Sequence, residues 1–293
     1  MSAPRTTPRL GLGIGMRPEL EGLIACDELG FLEVVAENVD ARRLPDVLLR
    51  ARERGMEVIP HGIRLSLGGG ERPDHRTLDH LAILADQLDS PLVSEHIAFV
   101  RADGVEAGHV MPVPRTRESL EIITENVLLA QERLPVPLAL EHVAAMVEWP
   151  AAEMDEAAFV GELLDRTGAL LLLDLSNLYA NAYNHGYDAV RALGRFPLQR
   201  IAYVHVGGGE HRADGMYHDT HAHPVVPGVL ALVEELFALT DAPGLLLERD
   251  SDFPTDTRSP EAEQGTGHEL LRELLAIDAA AKRGRARRDA GAR

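Results

Sequence analysis

The sequence predicts a single (β/α)8 barrel, and three observations carry that prediction. Eight short apolar runs alternate with amphipathic segments of helical length along 293 residues, the alternation that builds parallel sheets. No internal repeat, linker or composition break separates them, which fits one closed barrel better than an open doubly wound sheet. Finally, a metal-capable side chain falls at or just beyond the C-terminal end of six consecutive runs, and that end is the rim where barrel enzymes build their sites.

The predicted strands, in order, are Leu10–Ile14, Phe31–Ala36, Met56–Pro60, Pro91–Glu95, Pro137–Glu141, Ala169–Asp174, Ile201–Val206 and Gly244–Glu248. Each is short, apolar and bounded by Gly, Pro or charged residues, as strands buried on both faces are. Helical periodicity marks Leu44–Gly55, Asp74–Leu88, Arg117–Leu134, Glu153–Gly168 and Val225–Leu239, with Gly55 and Gly168 at expected stops.

Composition narrows the function classes. Hydrophobic residues make up 45% of the chain, enough for a large core. The longest apolar run, Ala169–Leu173, is far too short to span a bilayer. Met1–Arg9 has no apolar stretch after its charges, so no secretory signal is expected and the predicted location is the cytoplasm. One cysteine, Cys26, excludes an internal disulfide and a cysteine-held iron–sulfur cluster; it reads as a buried small hydrophobe. A net charge of −18 argues against nucleic acid as partner. The exception is the run of Lys282, Arg283, Arg285, Arg287, Arg288 and Arg293, opposed only by Asp289. Residues 1–281 are therefore expected to form the catalytic barrel and 282–293 a basic, disordered tail.

Position singles out the candidate site. The third strand ends at His61, the fourth at Glu95 and His96, the fifth at Glu141, the sixth at Asp174, the seventh at His205 and the eighth at Glu248. Asn177 sits one turn past Asp174, and Asp219 and His221 lie two apart in the loop after the seventh strand. Four imidazoles (His61, His96, His205, His221), four carboxylates (Glu141, Asp174, Asp219, Glu248) and one amide oxygen exceed the roughly four to six ligands of one ion. Bridging carboxylates let such a set hold two or three ions about 3.5–4 Å apart. Nitrogen and oxygen donors without thiolate suit iron, manganese or zinc. Without cations, four carboxylates this close would raise one another's pKa.

Other features read blandly. Any one histidine, alone, is more often structural than a ligand; it is the shared rim that argues otherwise. His142 faces away from Glu141 if its strand is regular, His185 in Asn184-His185-Gly186 could touch metal or substrate, and His211, His218 and His223 read as loop residues. Glu57 and Glu95 read as loop caps or arginine partners. Gly11–Gly15 lacks the full dinucleotide fingerprint, and Gly68–Gly70 and Gly207–Gly209 lack the sequel of a phosphate loop.

Phe31–Asn38, His61–Gly68, Ser94-Glu95-His96, Asp174–Tyr179, Asn184-His185-Gly186 and Asp219-Thr220-His221 resemble, in order and from about Leu10 to Glu248, the multinuclear non-haem iron-dependent oxidative enzymes. The resemblance implies a xylose isomerase-like TIM barrel and two or three iron ions, mixed ferrous and ferric, with dioxygen as co-substrate. It also implies oxidative rewriting of a ribosomal precursor peptide, often at cysteine, with a small partner protein that recognises the leader peptide. The family's metal positions fall on the same nine residues. Three departures bear on the substrate and the exact reaction: His142-Val143-Ala144-Ala145 after Glu141, Ser176 in place of an asparagine, and Gly207–Glu210. Expected substrate contacts and catalytic groups are Glu37, Asn38, Arg64, Ser66 and His185. The rival readings are a trinuclear-zinc hydrolase of the abasic-site endonuclease type, which the acidic charge disfavours, a sugar isomerase or epimerase, and more distantly a metal carrier.

Overall fold

The computed structural model describes residues 8–254 and 267–291. Eight parallel strands close a barrel: β1 (Gly11–Gly15), β2 (Leu29–Val35), β3 (Glu57–Gly62), β4 (Val93–His96), β5 (Leu138–Glu141), β6 (Leu170–Asp174), β7 (Ile201–Gly207) and β8 (Gly244–Glu248). Each strand pairs with its sequence neighbours, and β8 closes on β1 with Gly11 opposite Gly244. The helices are α1 (Asp46–Glu53), α2 (His75–Gln87), α3 (Arg117–Arg133), α4 (Glu156–Thr167), α5 (Leu175–His185), α6 (Ala189–Leu193), α7 (Pro227–Leu239) and α8 (Gly267–Gly291). A 3-10 helix, Pro18–Ala25, replaces the first outer helix, and Cys26 at its end is half-buried against the core. Among the described residues no helix is long and apolar enough to cross a membrane.

The chain's own capping chemistry sets the helix starts. Asp74, Thr116, Asp155 and Asp174 each accept backbone N–H groups of the first turn of α2, α3, α4 and α5. Gly168 and Gly186 end α4 and α5 in the left-handed conformation. Several elements escape the sequence reading, among them α5, which begins directly on the strand, α6, α8 and a hairpin, Ala98–Ala102 with Val105–Pro112, standing over the C-terminal rim.

Two apolar layers hold the barrel. The larger lies between strands and helices. The smaller, Leu10, Phe31, Ile59, Leu92, Ala139, Leu172, Ala202, Tyr203 and Leu246, plugs the barrel interior. Gly13 belongs to that plug by having no side chain, since a Cβ there would lie 2.3 Å from the Phe31 ring.

The expected disordered tail is corrected. Residues 282–291 continue α8, which packs along α7. Arg283 reaches Glu234 (2.7 Å), Arg285 reaches Asp241 (2.9 Å) and lies over the Phe237 ring, and Arg287 reaches Glu235 (2.6 Å). The basic run looks unopposed in sequence because the partners of its arginines, Glu234, Glu235 and Asp241, lie about forty to fifty residues earlier, on α7 and just past its end. Arg293 lies outside the described residues.

Candidate metal centre

Side chains two apart on a strand share a face, and the barrel uses this to stack a polar layer on its apolar plug. Phe31, Ile59, Leu92, Ala139, Leu172, Tyr203 and Leu246 are followed two residues later by Glu33, His61, Ser94, Glu141, Asp174, His205 and Glu248. All seven of these polar residues are buried. His96 comes two residues beyond Ser94.

The layer resolves into three interlocked groups whose ligand atoms lie within 4.8 Å of one another: His61, His96 and Glu141; Glu141, Asp174, His205 and Glu248; and His221, Glu248 and Asp250. Glu141 belongs to the first two and Glu248 to the last two. The Nε2 atoms of His61 and His96 stand 3.4 and 3.3 Å from Glu141 Oε2, and His205 Nδ1 stands 3.3 Å from Oε1. Glu248 Oε2 faces His205 Nδ1 at 3.0 Å and His221 Nδ1 at 3.2 Å. Asp174 caps α5 with one oxygen, accepting from the N–H groups of Ser176 and Asn177, and turns the other toward His205 and His221, each 3.9 Å away.

Of the nine sequence-predicted ligands, seven fall in these groups. Asp219 stands beside them, 2.9 Å from His221 Nε2. Asn177 lines the same cavity with its amide N–H donating to the His142 carbonyl (2.9 Å), which leaves the amide oxygen for the site. Asp250 was missed. It lies two residues beyond Glu248, 3.6 Å from His221 Nδ1, and is held by Arg17. His221 adopts φ +49°, a conformation that costs a non-glycine residue energy and that clusters at functional sites.

The donor set fits cations. Glu141 Oε2, Asp174 Oδ2, His205 Nδ1, Asp219 Oδ1 and His221 Nε2 are buried and have no hydrogen-bond partner, a cost of about 1–3 kcal/mol for each such group unless something else satisfies it. Burial favours the neutral form throughout, and the facing charges decide the outcome. Opposing burial, His205 and His96 bring the Glu141 carboxyl down to about 2. Also against burial, Glu141 and Glu95 carry His96 up to about 9. For Asp174, burial and Asp219 act together and raise it to about 7. His205 and His221 are raised well above the usual imidazole range, Glu33 and Asp219 respectively outweighing burial most.

Over the layer opens a cavity of about 620 Å3, whose lining includes Arg17, Arg64, Glu106, His109 and Thr220. Of the expected substrate contacts, Arg64 lines it and pairs with Glu106 of the hairpin (3.4 Å). The others are not among its lining residues: Glu37 accepts from the Ile63 N–H (3.0 Å), Asn38 is exposed, and the Ser66 hydroxyl accepts from the Val100 N–H (3.0 Å). His185 Nε2 bonds the Ala145 carbonyl (2.7 Å). With Asn177 and Asn181 it forms an i, i+4, i+8 row on α5 that clamps residues 142–145, the segment following Glu141. His142 faces away from Glu141's partners as expected, against Phe196 and 3.4 Å from Glu156. Glu57 pairs with Arg52 (2.8 Å), while Glu95 accepts from the N–H groups of Leu65 and His96.

Comparison with known proteins agrees with this architecture. Among solved structures, a xylose isomerase domain protein from Planctomyces limnophilus superposes with a TM-score of 0.57 at 13% identity, covering 94% of this chain and 98% of that one. Endonuclease IV from Thermus thermophilus gives 0.54 at 19%, covering 92% and 99%. These likenesses establish the xylose isomerase-like barrel. A UPF0276 protein of Streptomyces avermitilis is 50% identical over 94% of this chain, which spans only 56% of that relative's length. A UPF0276 protein of Caulobacter vibrioides is 34% identical over 83% of this chain and 88% of its own. Residues 11–265 match the family described as RiPP precursor modification enzyme MbnB/TglH/ChrH, where a RiPP is a ribosomally synthesised and post-translationally modified peptide. With the barrel, the interlocked ligand groups and this match over most of its length, the chain belongs to that family of peptide-modifying enzymes.

Proposed function

We propose that the protein is a multinuclear non-haem iron oxidase that uses dioxygen to modify a residue, cysteine foremost, of a ribosomally made precursor peptide. The observation that carries this reading is the sharing of Glu141 and Glu248 between neighbouring ligand groups, since shared carboxylates are what hold ions side by side. The nitrogen–oxygen donor set without thiolate suits iron. His61, His96, Glu141, Asp174, Asn177, His205, Asp219, His221 and Glu248 would hold two or three ions, with Asp250 added to the set. Iron there supplies the redox electrons and Lewis acidity that side chains lack.

The chain's own residues do the rest. The apolar plug beneath the layer keeps water from below. Ligands fixed on strand ends arrive preorganised. Val100, Val110, Val143 and Ala144 give the mouth an apolar lining for a peptide side chain, while Arg17, Arg64 and His109 offer donors to its backbone or acidic groups. Recognition of a leader segment would fall to a small partner protein.

The test is anaerobic purification with metal counting and Mössbauer spectroscopy, followed by oxygen uptake with the precursor peptide. Two or more irons per chain and peptide-dependent oxygen consumption are expected. A single ion per fully loaded chain, or a colourless zinc protein that cleaves phosphodiesters, overturns the reading.

A further inference from the structure

Beneath the ligand layer runs a buried hydrogen-bonded chain that the metal reading does not use. His61 Nδ1 lies 2.8 Å from Ser94 Oγ, Ser94 Oγ lies 2.7 Å from the Tyr203 hydroxyl, and that hydroxyl bonds Glu33 Oε2. The same oxygen lies 2.8 Å from His205 Nε2. Glu33, His61, Ser94, Tyr203 and His205 are all buried, so water does not complete or scramble the chain.

Donor counting gives the chain a direction. A carboxylate at Glu33 only accepts, so both Tyr203 O–H and His205 Nε2–H donate to it. Tyr203 has then spent its single proton and must accept from Ser94. Ser94, having spent its own, must accept from His61 Nδ1–H. Every hydrogen bond therefore points toward Glu33. When both rings are neutral, as metal binding requires, the two nitrogens without a proton are His61 Nε2 and His205 Nδ1, and these are the atoms that face Glu141 at 3.4 and 3.3 Å. His61 and His205 belong to different ligand groups.

We infer that Glu33 is a positioning residue that sets the tautomer of two metal ligands at once, His205 directly and His61 through Tyr203 and Ser94. The inference rests on the metal reading above. Its physical content is that one carboxylate presents two imidazole lone pairs, from β3 and β7 across the barrel, to adjacent ion positions. A partner of this kind orients the ring and raises its basicity, and its loss costs about 10–100-fold in metal affinity. Ser94→Ala and Tyr203→Phe cut only the His61 branch, whereas Glu33→Gln takes the charge from the shared acceptor and so weakens both branches.

The experiment titrates the full chain with zinc and with cobalt against a competing chelator, resolving the ion positions by cobalt absorption, with melting curves of the metal-free proteins in parallel. Ser94→Ala and Tyr203→Phe should weaken one ion position by about 10–100-fold, and Glu33→Gln should weaken two. Nitrogen NMR of the zinc-loaded protein should show slowly exchanging His61 Nδ1–H and His205 Nε2–H protons. The His61 proton alone should lose protection in Ser94→Ala. A merely structural role would lower all melting temperatures while leaving the ion affinities in proportion to wild type, and that overturns the inference. So does a Tyr203→Phe protein whose two positions weaken equally, a result that still counts if Glu33→Gln fails to fold. A wild-type chain that binds neither ion overturns the metal reading itself, and is thereby distinguished from failure of the relay.

Discussion

Two layers of the barrel interior, separated by two residues on the same strands, behave as opposites. The lower layer of Phe31, Ile59, Leu92, Ala139, Leu172, Tyr203 and Leu246 is buried and almost wholly apolar. The upper layer of Glu33, His61, Ser94, Glu141, Asp174, His205 and Glu248 is equally buried and polar throughout. Backbone register, strand tilt and burial are common to both, so the difference is chemical. The lower layer stabilises the fold by removing apolar surface from water; the upper one sets desolvated charges against each other and leaves several atoms unpartnered. The closed barrel tolerates the second because the first, with the outer shell, supplies the stability.

Breaking each layer should therefore give opposite signatures. The largest effect is expected at Glu141, which two ligand groups share. Glu141→Ala should lose about two ions per chain and all peptide modification, while the barrel stays folded by circular dichroism. Metal content equal to wild type would remove Glu141 from the centre. In the lower layer, Phe31→Ala should cost about 3–5 kcal/mol in denaturant unfolding, with the remaining folded protein still binding its full metal complement. If Phe31→Ala instead lost metal and kept its stability, the division of labour between the layers would be wrong.

The comparison also explains what the sequence made legible. Buried parallel strands read as continuous apolar runs, and a lone His, Asp or Glu closing such a run stands out. That is why β3 to β8 can be placed together with their rim residues. Glu33 escapes because it lies inside the strand Phe31–Ala36 rather than at its end; the period-two rule, counted from Phe31, would find it. Asp250 follows the same rule from Glu248, and is hidden by lying in a loop. Helix α5 is hidden because its capping residue is Asp174 itself, so the ligand signal masks the helix signal. Glu37, Asn38 and His185 are close to the rim along the chain, which is what assigns them to substrate, and nothing in local sequence tells which wall of a loop a side chain joins.

A smaller effect sharpens the electrostatic side of the comparison. In the metal-free protein His96 is raised to about 9, so its contribution to stability is complete below its ordinary 6.5 and fades as pH rises through 9. Asp174, raised to about 7 by burial and Asp219, takes stability away earlier, as pH rises from its ordinary 3.8 to about 7. Glu141, lowered to about 2, contributes above its ordinary 4.5 and loses that contribution as pH drops toward 2. The metal-free chain should melt highest near about pH 4.5, decline as Asp174 ionises and then as His96 loses its proton, and melt several degrees lower at pH 9. Loading with metal should flatten the alkaline side and release protons at pH 7. Equal pH profiles with and without metal would mean that the upper layer does not titrate as a ligand shell.

The smallest expected effects lie outside the barrel, on α8, where basic side chains meet the acidic side of α7. Arg287 is half exposed, and solvent-screened pairs of that kind contribute little or nothing measurable. Arg285 differs, since it reaches Asp241 while its guanidinium covers Phe237 at 4.4 Å. A cation over an aromatic ring adds about 0.5–1 kcal/mol at exposed sites. Arg285→Ala should therefore lower stability by about 0.5–1 kcal/mol, more than Arg287→Ala, and the Arg287→Ala effect should vanish in high salt while part of the Arg285→Ala effect persists. Because Gly284 lets the two helices approach until a Cβ would lie 2.3 Å from the Glu234 carbonyl, Gly284→Leu should separate them and remove both contributions together. If the three variants all melt with wild type, the basic run carries no helix-packing energy and the charges of α7 meet only solvent.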